Sequence, residues 1–148
     1  LLFNLTVGPF AKTKVFMGDA GSTFLGCAVA IAMIHFTQSR HAVIQPATAL
    51  WLVAIPLMDM ASTMVRRVRK GRSPFHADRT HLHHILMRAA FSQRQALMAI
   101  VLVATILAGI GIVLERVWPQ SEAVSFALFL IAFGLYFQFT LKQARKFA

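Results

Sequence analysis

The sequence predicts an all-α fold, a polytopic bundle of transmembrane helices, on three observations. Hydrophobic residues make up 57% of the 148 and charged residues only 14%, with a mean hydropathy of +0.65, which places the chain in a bilayer. Four apolar stretches, 22–38, 47–65, 96–114 and 123–141, each approach the length that a helix needs to cross a hydrocarbon core. The fifteen Lys and Arg also divide unevenly between the compartments that these spans create. Lys12, Lys14, Arg66, Arg67, Arg69, Lys70, Arg72, Arg79, Arg88, Arg94, Lys142, Arg145 and Lys146 fall on one side, and Arg40 and Arg116 on the other. That is the positive-inside pattern, and it turns the first group toward the cytoplasm. The net charge of +10 therefore reads as topology and contact with anionic membrane lipids, not as affinity for nucleic acid.

Taken in order, Leu1-Leu-Phe-Asn-Leu5 reads as the tail of a truncated helix that Gly8-Pro9 ends, with Lys12 and Lys14 at the cytoplasmic surface. No signal-peptide pattern opens the chain. Next comes Val15-Phe-Met-Gly-Asp-Ala-Gly-Ser22, a carboxylate among glycines and a hydroxyl at the mouth of an apolar helix. Asp19 offers a hard oxygen ligand for a metal, Gly18 and Gly21 allow close approach of backbone to a ligand, and Ser22 is placed to cap the helix. The positive end of that helix would suit a magnesium-bound phosphate, although the same residues also make a plain helix start. Cys27 is the only cysteine, so the chain has no internal disulfide and no thiolate metal site, and it reads as a packing residue. His35 and His41 read as interfacial or packing residues in the outer half.

In the second span, Trp51 is expected to anchor near the outer interface, and Pro56 to kink the helix. Asp59 is then buried near the cytoplasmic leaflet. A carboxylate at that depth is costly, so it is either part of a binding site or the partner of a basic residue. The segment 66–94 is the one long polar stretch and faces the cytoplasm. Its basic run, 66–72, is a membrane-flanking stop, and four of the six histidines follow within 76–84. A helix from Asp78 would set His81 and His84 one turn apart on one face and turn His83 away. Such imidazoles bind metal, donate to phosphate or pair with a carboxylate. No Glu stands between them, which removes the zinc-protease pattern, and Arg79 and Arg88 beside them favour a phosphate pocket over a cation site. A polar surface helix with incidental histidines is the plain alternative.

Ser92-Gln-Arg-Gln95 is a capping box that opens the third span, where Gly109 and Gly111 allow close helix packing. Trp118-Pro119 marks the outer interface and Glu122 the first turn of the last helix. Tyr136 lies toward its inner end. These two spans hold no internal charge and read as scaffold.

Three of these stretches together resemble one family: Val15-Phe-Met-Gly-Asp-Ala-Gly-Ser22, Ile55-Pro-Leu-Met-Asp-Met60, and 66–84 with its Gly-x-Ser-Pro-Phe and Asp-Arg-x-His-x-His-His elements. The chain is similar to the C-terminal part of the bacterial polyprenyl-phosphate N-acetylhexosamine-1-phosphate transferases. The resemblance implies transfer of N-acetylglucosamine 1-phosphate from UDP-N-acetylglucosamine to undecaprenyl phosphate. That reaction would use magnesium, or manganese in its place, on the cytoplasmic face of the inner membrane. By the matching motifs, Asp19 would be the catalytic metal ligand, with Gly18, Gly21 and Ser22 shaping the turn. His81, His83 and His84 would serve catalysis beside Arg79 and Asp59 on the substrate. Sister transferases that use UDP-N-acetylmuramoyl-pentapeptide or another UDP-N-acetylhexosamine are the alternative; the first of these carries three consecutive histidines, whereas Leu82 interrupts the run here. The family's upstream Asp-Asp-x-x-Asp motif is absent, so on this reading the chain is one part of a single transferase domain and inactive alone. A non-enzymatic membrane module that binds lipid phosphate or metal is the reading from another class.

Overall fold

The computed structural model describes residues 18–38, 40, 42–71, 73 and 81–146, with side chains through 143. Among the described residues every regular element is a helix: α1 (Gly18–Gln38), α2 (Pro46–Leu52), α3 (Ala54–Arg69), α4 (Leu82–Arg88), α5 (Gln93–Val117) and α6 (Glu122–Lys146). They divide between two compact units, Leu1–Ala42 and Val43–Ala148.

In the first unit, α1 runs for 21 residues with none buried, and its side chains are apolar on every face. At 1.5 Å per residue it is about 31 Å long, the thickness of a hydrocarbon core. It is one of three helices long and apolar enough to cross a membrane, the others being α5 and α6. The architecture is thus the polytopic helix bundle that composition predicts. The truncated helix expected at the start of the chain lies outside the described residues.

The second unit shows where a continuous span fails. Residues 47–65 do not form one helix. Instead α2 and α3 meet at Val53 with a bend of 80°. Pro56 is the cause: it has no N–H to give Leu52, and its ring would strike that carbonyl if the helix ran straight. The break falls so that Pro56 sits in the first turn of α3, where an N–H has no helical partner anyway. The pair still traverses the unit. At one end Gln45 donates its side-chain amide to the Pro119 carbonyl. At the other, the Arg69 guanidinium lies 5.2 Å from the centre of the Phe137 ring. Glu122 and Phe137 stand about 22 Å apart along α6 by helical rise.

Trp51 is the centre of the core, 3% exposed and packed with Ala54, Met58 and Phe129. It is buried against α5 and α6, with its indole N–H donated to the Ser125 hydroxyl at 3.2 Å and its ring edge-on to Phe129 at 5.5 Å. In lipid, apolar side chains gain little from leaving the acyl chains, so helices associate through close contact and buried hydrogen bonds. Gly111 supplies the closeness, because a Cβ there would overlap Trp51. Gly109 has nothing near it, so only one of the two predicted packing glycines packs. The capping box holds: Gln95 N–H donates to Ser92 Oγ, and Ser92 N–H to Gln95 Oε1 at 2.9 Å.

Candidate functional site

The site of the second unit is assembled around Asp59. This residue lies in α3, two turns before the basic end of that helix, and its side chain is 16% exposed. Three groups converge on its carboxylate, from α4, from the residue that precedes α4, and from α6. The Leu82 N–H donates to Oδ1 at 2.9 Å, the Tyr136 hydroxyl donates to the same oxygen at 3.0 Å, and His81 Nδ1 lies 3.0 Å from Oδ2. A carboxylate only accepts, so the proton of that last bond belongs to His81 Nδ1. Asp59 ties α3 to the start of α4 and to α6.

The helix carrying the histidines is shorter than predicted. His81 is the N-cap of α4, in extended conformation at φ −66° and ψ 153°, and the helix begins at Leu82. Its apolar residues explain the placement. Leu82 and Ile85 are buried at 9% and 3% exposure, which presses α4 onto α5 and α6. A cavity of about 240 Å³ lies between Leu82, Leu86, Ile100, Val103 and Tyr136, apolar throughout.

Because His81 stands outside the helix, the expected pairing of His81 with His84 is replaced by a row of three rings. The His83 ring is nearly parallel to that of His81, 6.1 Å away, and leans on His84 at 4.0 Å. His83 is not turned away. Partial loss of water holds it below the ordinary histidine pKa, as does positive charge on His84 and His81, with Asp59 opposing. It is therefore largely neutral at pH 7.

The basic groups gather at this end of the unit. Arg66 is buried at 5% exposure and donates to the Thr63 hydroxyl at 2.9 Å, and Arg69 lies over Phe137. Arg79 lies outside the described residues, as do His41, Arg72, His76 and Asp78.

Asp19 belongs to the first unit, in the opening turn of α1. Its exposed carboxylate makes no hydrogen bond or ion pair among the described residues. Gly18 has φ +65°, a left-handed backbone that only glycine enters without strain, so this residue is fixed by geometry. Ser22 does not cap the helix. It sits one turn inside and donates its hydroxyl back to the Asp19 carbonyl at 2.9 Å. Gly21 is likewise within the helix. Among the described residues no group of three His, Cys, Asp or Glu is placed to hold a metal by itself.

Tyr136 is the residue that sequence reasoning misses. It is the only tyrosine of the chain, and a phenol in a phenylalanine-rich helix was a signal that a buried acceptor stood opposite.

No family model matches the chain, and no solved structure matches it. Curated relatives do. The chain is 52% identical over 137 residues to the undecaprenyl-phosphate alpha-N-acetylglucosaminyl 1-phosphate transferase of Salmonella typhi. It is 51% identical over 137 residues to that of Escherichia coli K12, and 46% over 136 residues to that of Haemophilus influenzae. These alignments cover 92–93% of the chain but only 37–38% of each relative.

Proposed function

We propose, for a chain that belongs with these relatives to the undecaprenyl-phosphate N-acetylglucosaminyl 1-phosphate transferase family, that the whole protein carries out the reaction the relatives are named for. Identity of 46–52% across nearly the whole chain is the observation that carries this reading. The donor is UDP-N-acetylglucosamine, the acceptor is undecaprenyl phosphate, and the reaction runs at the cytoplasmic face of the inner membrane. An oxygen of the lipid phosphate forms a bond to the sugar-bearing phosphorus, the bond from that phosphorus to the UMP oxygen breaks, and UMP leaves. One phosphoanhydride replaces another, so the protein's work is positioning and charge neutralisation. The product is a lipid-linked sugar that begins a cell-envelope polysaccharide.

Asp19 fits magnesium on the ground of its donor chemistry: a hard, uncommitted carboxylate at a positive helix end. One or two such carboxylates plus substrate phosphates are the usual shell of this ion. Bound there, magnesium would neutralise charge on the diphosphate. In the second unit, His81 offers Nε2 to a donor phosphate, since Nδ1 is held by Asp59. His83 and His84 extend the same polar row, and the buried Arg66 adds positive charge at that end.

The test uses membranes holding the full-length protein, supplied with UDP-N-acetylglucosamine labelled in the sugar, undecaprenyl phosphate and magnesium. Labelled lipid diphosphate and UMP in equal amounts are expected. Asp19→Asn should lower the rate by about 10²-fold, the scale for removing one charge-stabilising group. Absence of lipid-linked label in the unaltered protein, or a normal rate for Asp19→Asn, would refute the reading.

A further inference from the structure

A helix cap accounts for only part of what surrounds Asp59. Capping α4 requires one carboxylate oxygen on the Leu82 N–H, which Oδ1 provides at 2.9 Å. It does not require the second oxygen to meet His81 Nδ1 at 3.0 Å, nor the phenol of Tyr136 to reach across 77 positions of sequence to Oδ1. An acid in a bundle core is expensive, and a buried asparagine would cap the helix at less cost. What asparagine could not do is demand a proton on Nδ1.

We propose that Asp59, braced by Tyr136, is a positioning residue that fixes the tautomer and direction of His81. The inference rests on the transferase reading above. With Oδ1 held by two donors, the carboxylate plane cannot rotate, and Oδ2 is left aimed at the imidazole. His81 is then locked with the proton on Nδ1, and Nε2 is the nitrogen it presents to a ligand. The ring is 37% exposed while the carboxylate is 16% exposed, so the pair places its acid inward and part of the imidazole within reach of solvent. A neutral His81 would accept through Nε2 from a hydroxyl or from a protonated phosphate, and a protonated one would donate to a phosphate oxygen. Either way the contacting atom is the same. Tyr136 makes α6 part of the site, because its hydroxyl sets the angle at which Asp59 meets the histidine.

Nitrogen NMR of the full-length protein, labelled at histidine and purified in detergent, reads the tautomer without substrate. His81, assigned by its loss in His81→Ala, should carry its proton on Nδ1 at alkaline pH. In Asp59→Asn the side-chain amide would donate to Nδ1 and move the proton to Nε2. Tyr136→Phe should keep the wild-type tautomer. In the transfer assay, Asp59→Asn should lower kcat/KM by about 10–100-fold, as loss of a carboxylate behind a histidine does. Tyr136→Phe should lower it by less. In a His81→Ala background both losses should nearly vanish, since a residue acting through His81 has nothing left to position.

An Nε2–H tautomer in the wild type, or equal losses with and without His81, would overturn the proposal. Should Asp59→Asn fail to fold, Tyr136→Phe carries the same comparison. A protein that shows the tautomer but transfers no sugar phosphate refutes the function and leaves this inference standing. Full transfer with additive losses refutes this inference alone.

Discussion

Gly111→Ala tests whether the contact between Trp51 and α5 holds the second unit together. The added Cβ would overlap Cβ and Cγ of Trp51, a residue with no room to retreat: it is 3% exposed, bonded to Ser125 and edge-on to Phe129. Gly109→Ala is the internal control, two residues away on the same helix, where a new Cβ meets nothing within 4 Å. Both substitutions gain the same helix propensity, about 1 kcal/mol. Their difference therefore isolates the overlap, which by the usual cost of overfilling a packed core is about 1–3 kcal/mol. Unfolding of the full-length protein by denaturing detergent in mixed micelles, followed by Trp fluorescence, measures both. Gly109→Ala should unfold later than wild type, and Gly111→Ala earlier than Gly109→Ala by that margin. A difference below about 0.5 kcal/mol, the range of neutral surface changes, would mean that Trp51 does not depend on this glycine.

Two further outcomes follow from polar groups at opposite ends of the unit. His83 is held below its ordinary value of 6.5, so the unfolded chain takes up its proton first as pH falls. Stability supplied by the neutral ring is present above pH 6.5 and is lost as pH drops toward the folded value, so melting temperatures taken from pH 7.5 to 5 should fall less steeply in His83→Gln. At the other end, Glu122 accepts the Ala47 N–H at 3.2 Å. Glu122→Ala should destabilise the protein by about 1–3 kcal/mol because that N–H loses its acceptor, whereas Glu122→Gln should recover most of the loss. Both are read by the same detergent unfolding.

The membrane helices were legible because length and hydropathy are properties of the chain alone. The break in the second span was half legible. Pro56 fixes that the helix breaks, but the size of the bend, 80°, belongs to the packing of the two pieces, which no local pattern contains. Reading Ser22 as a cap failed for a local reason. The positive φ of Gly18 lets the helix begin one turn early, and the serine is carried inside it. The histidine cluster announced itself by density, but its arrangement did not. A helix drawn from Asp78 pairs His81 with His84, whereas the structure starts α4 at Leu82, because an acid on another helix caps it there. Tyr136 stood out as the one phenol in its helix, but its partner did not, since that is chosen by the packing of α3 against α6.

The acids show how economically the chain uses charge. It has five, of which Asp59, Glu115 and Glu122 each accept a backbone N–H at a helix start. Glu115 takes the N–H of Gln45 and Glu122 that of Ala47, both at the mouth of α2, and Asp59 takes that of Leu82 at the mouth of α4. Helices α2 and α4 have seven residues each, too short to persist alone, and the unmatched N–H groups of a first turn are a large share of their backbone. Where burial against neighbouring helices keeps water from those groups, a carboxylate meets the need and complements the positive helix end as well. Capping thus accounts for the contacts of Glu115 and Glu122. It explains one oxygen of Asp59 and none of Asp19. Where an acid stands in an apolar chain beyond what the helices require, the remainder is available for chemistry; among the described residues these remainders are the Asp59 oxygen on His81 and the carboxylate of Asp19, which has no partner there.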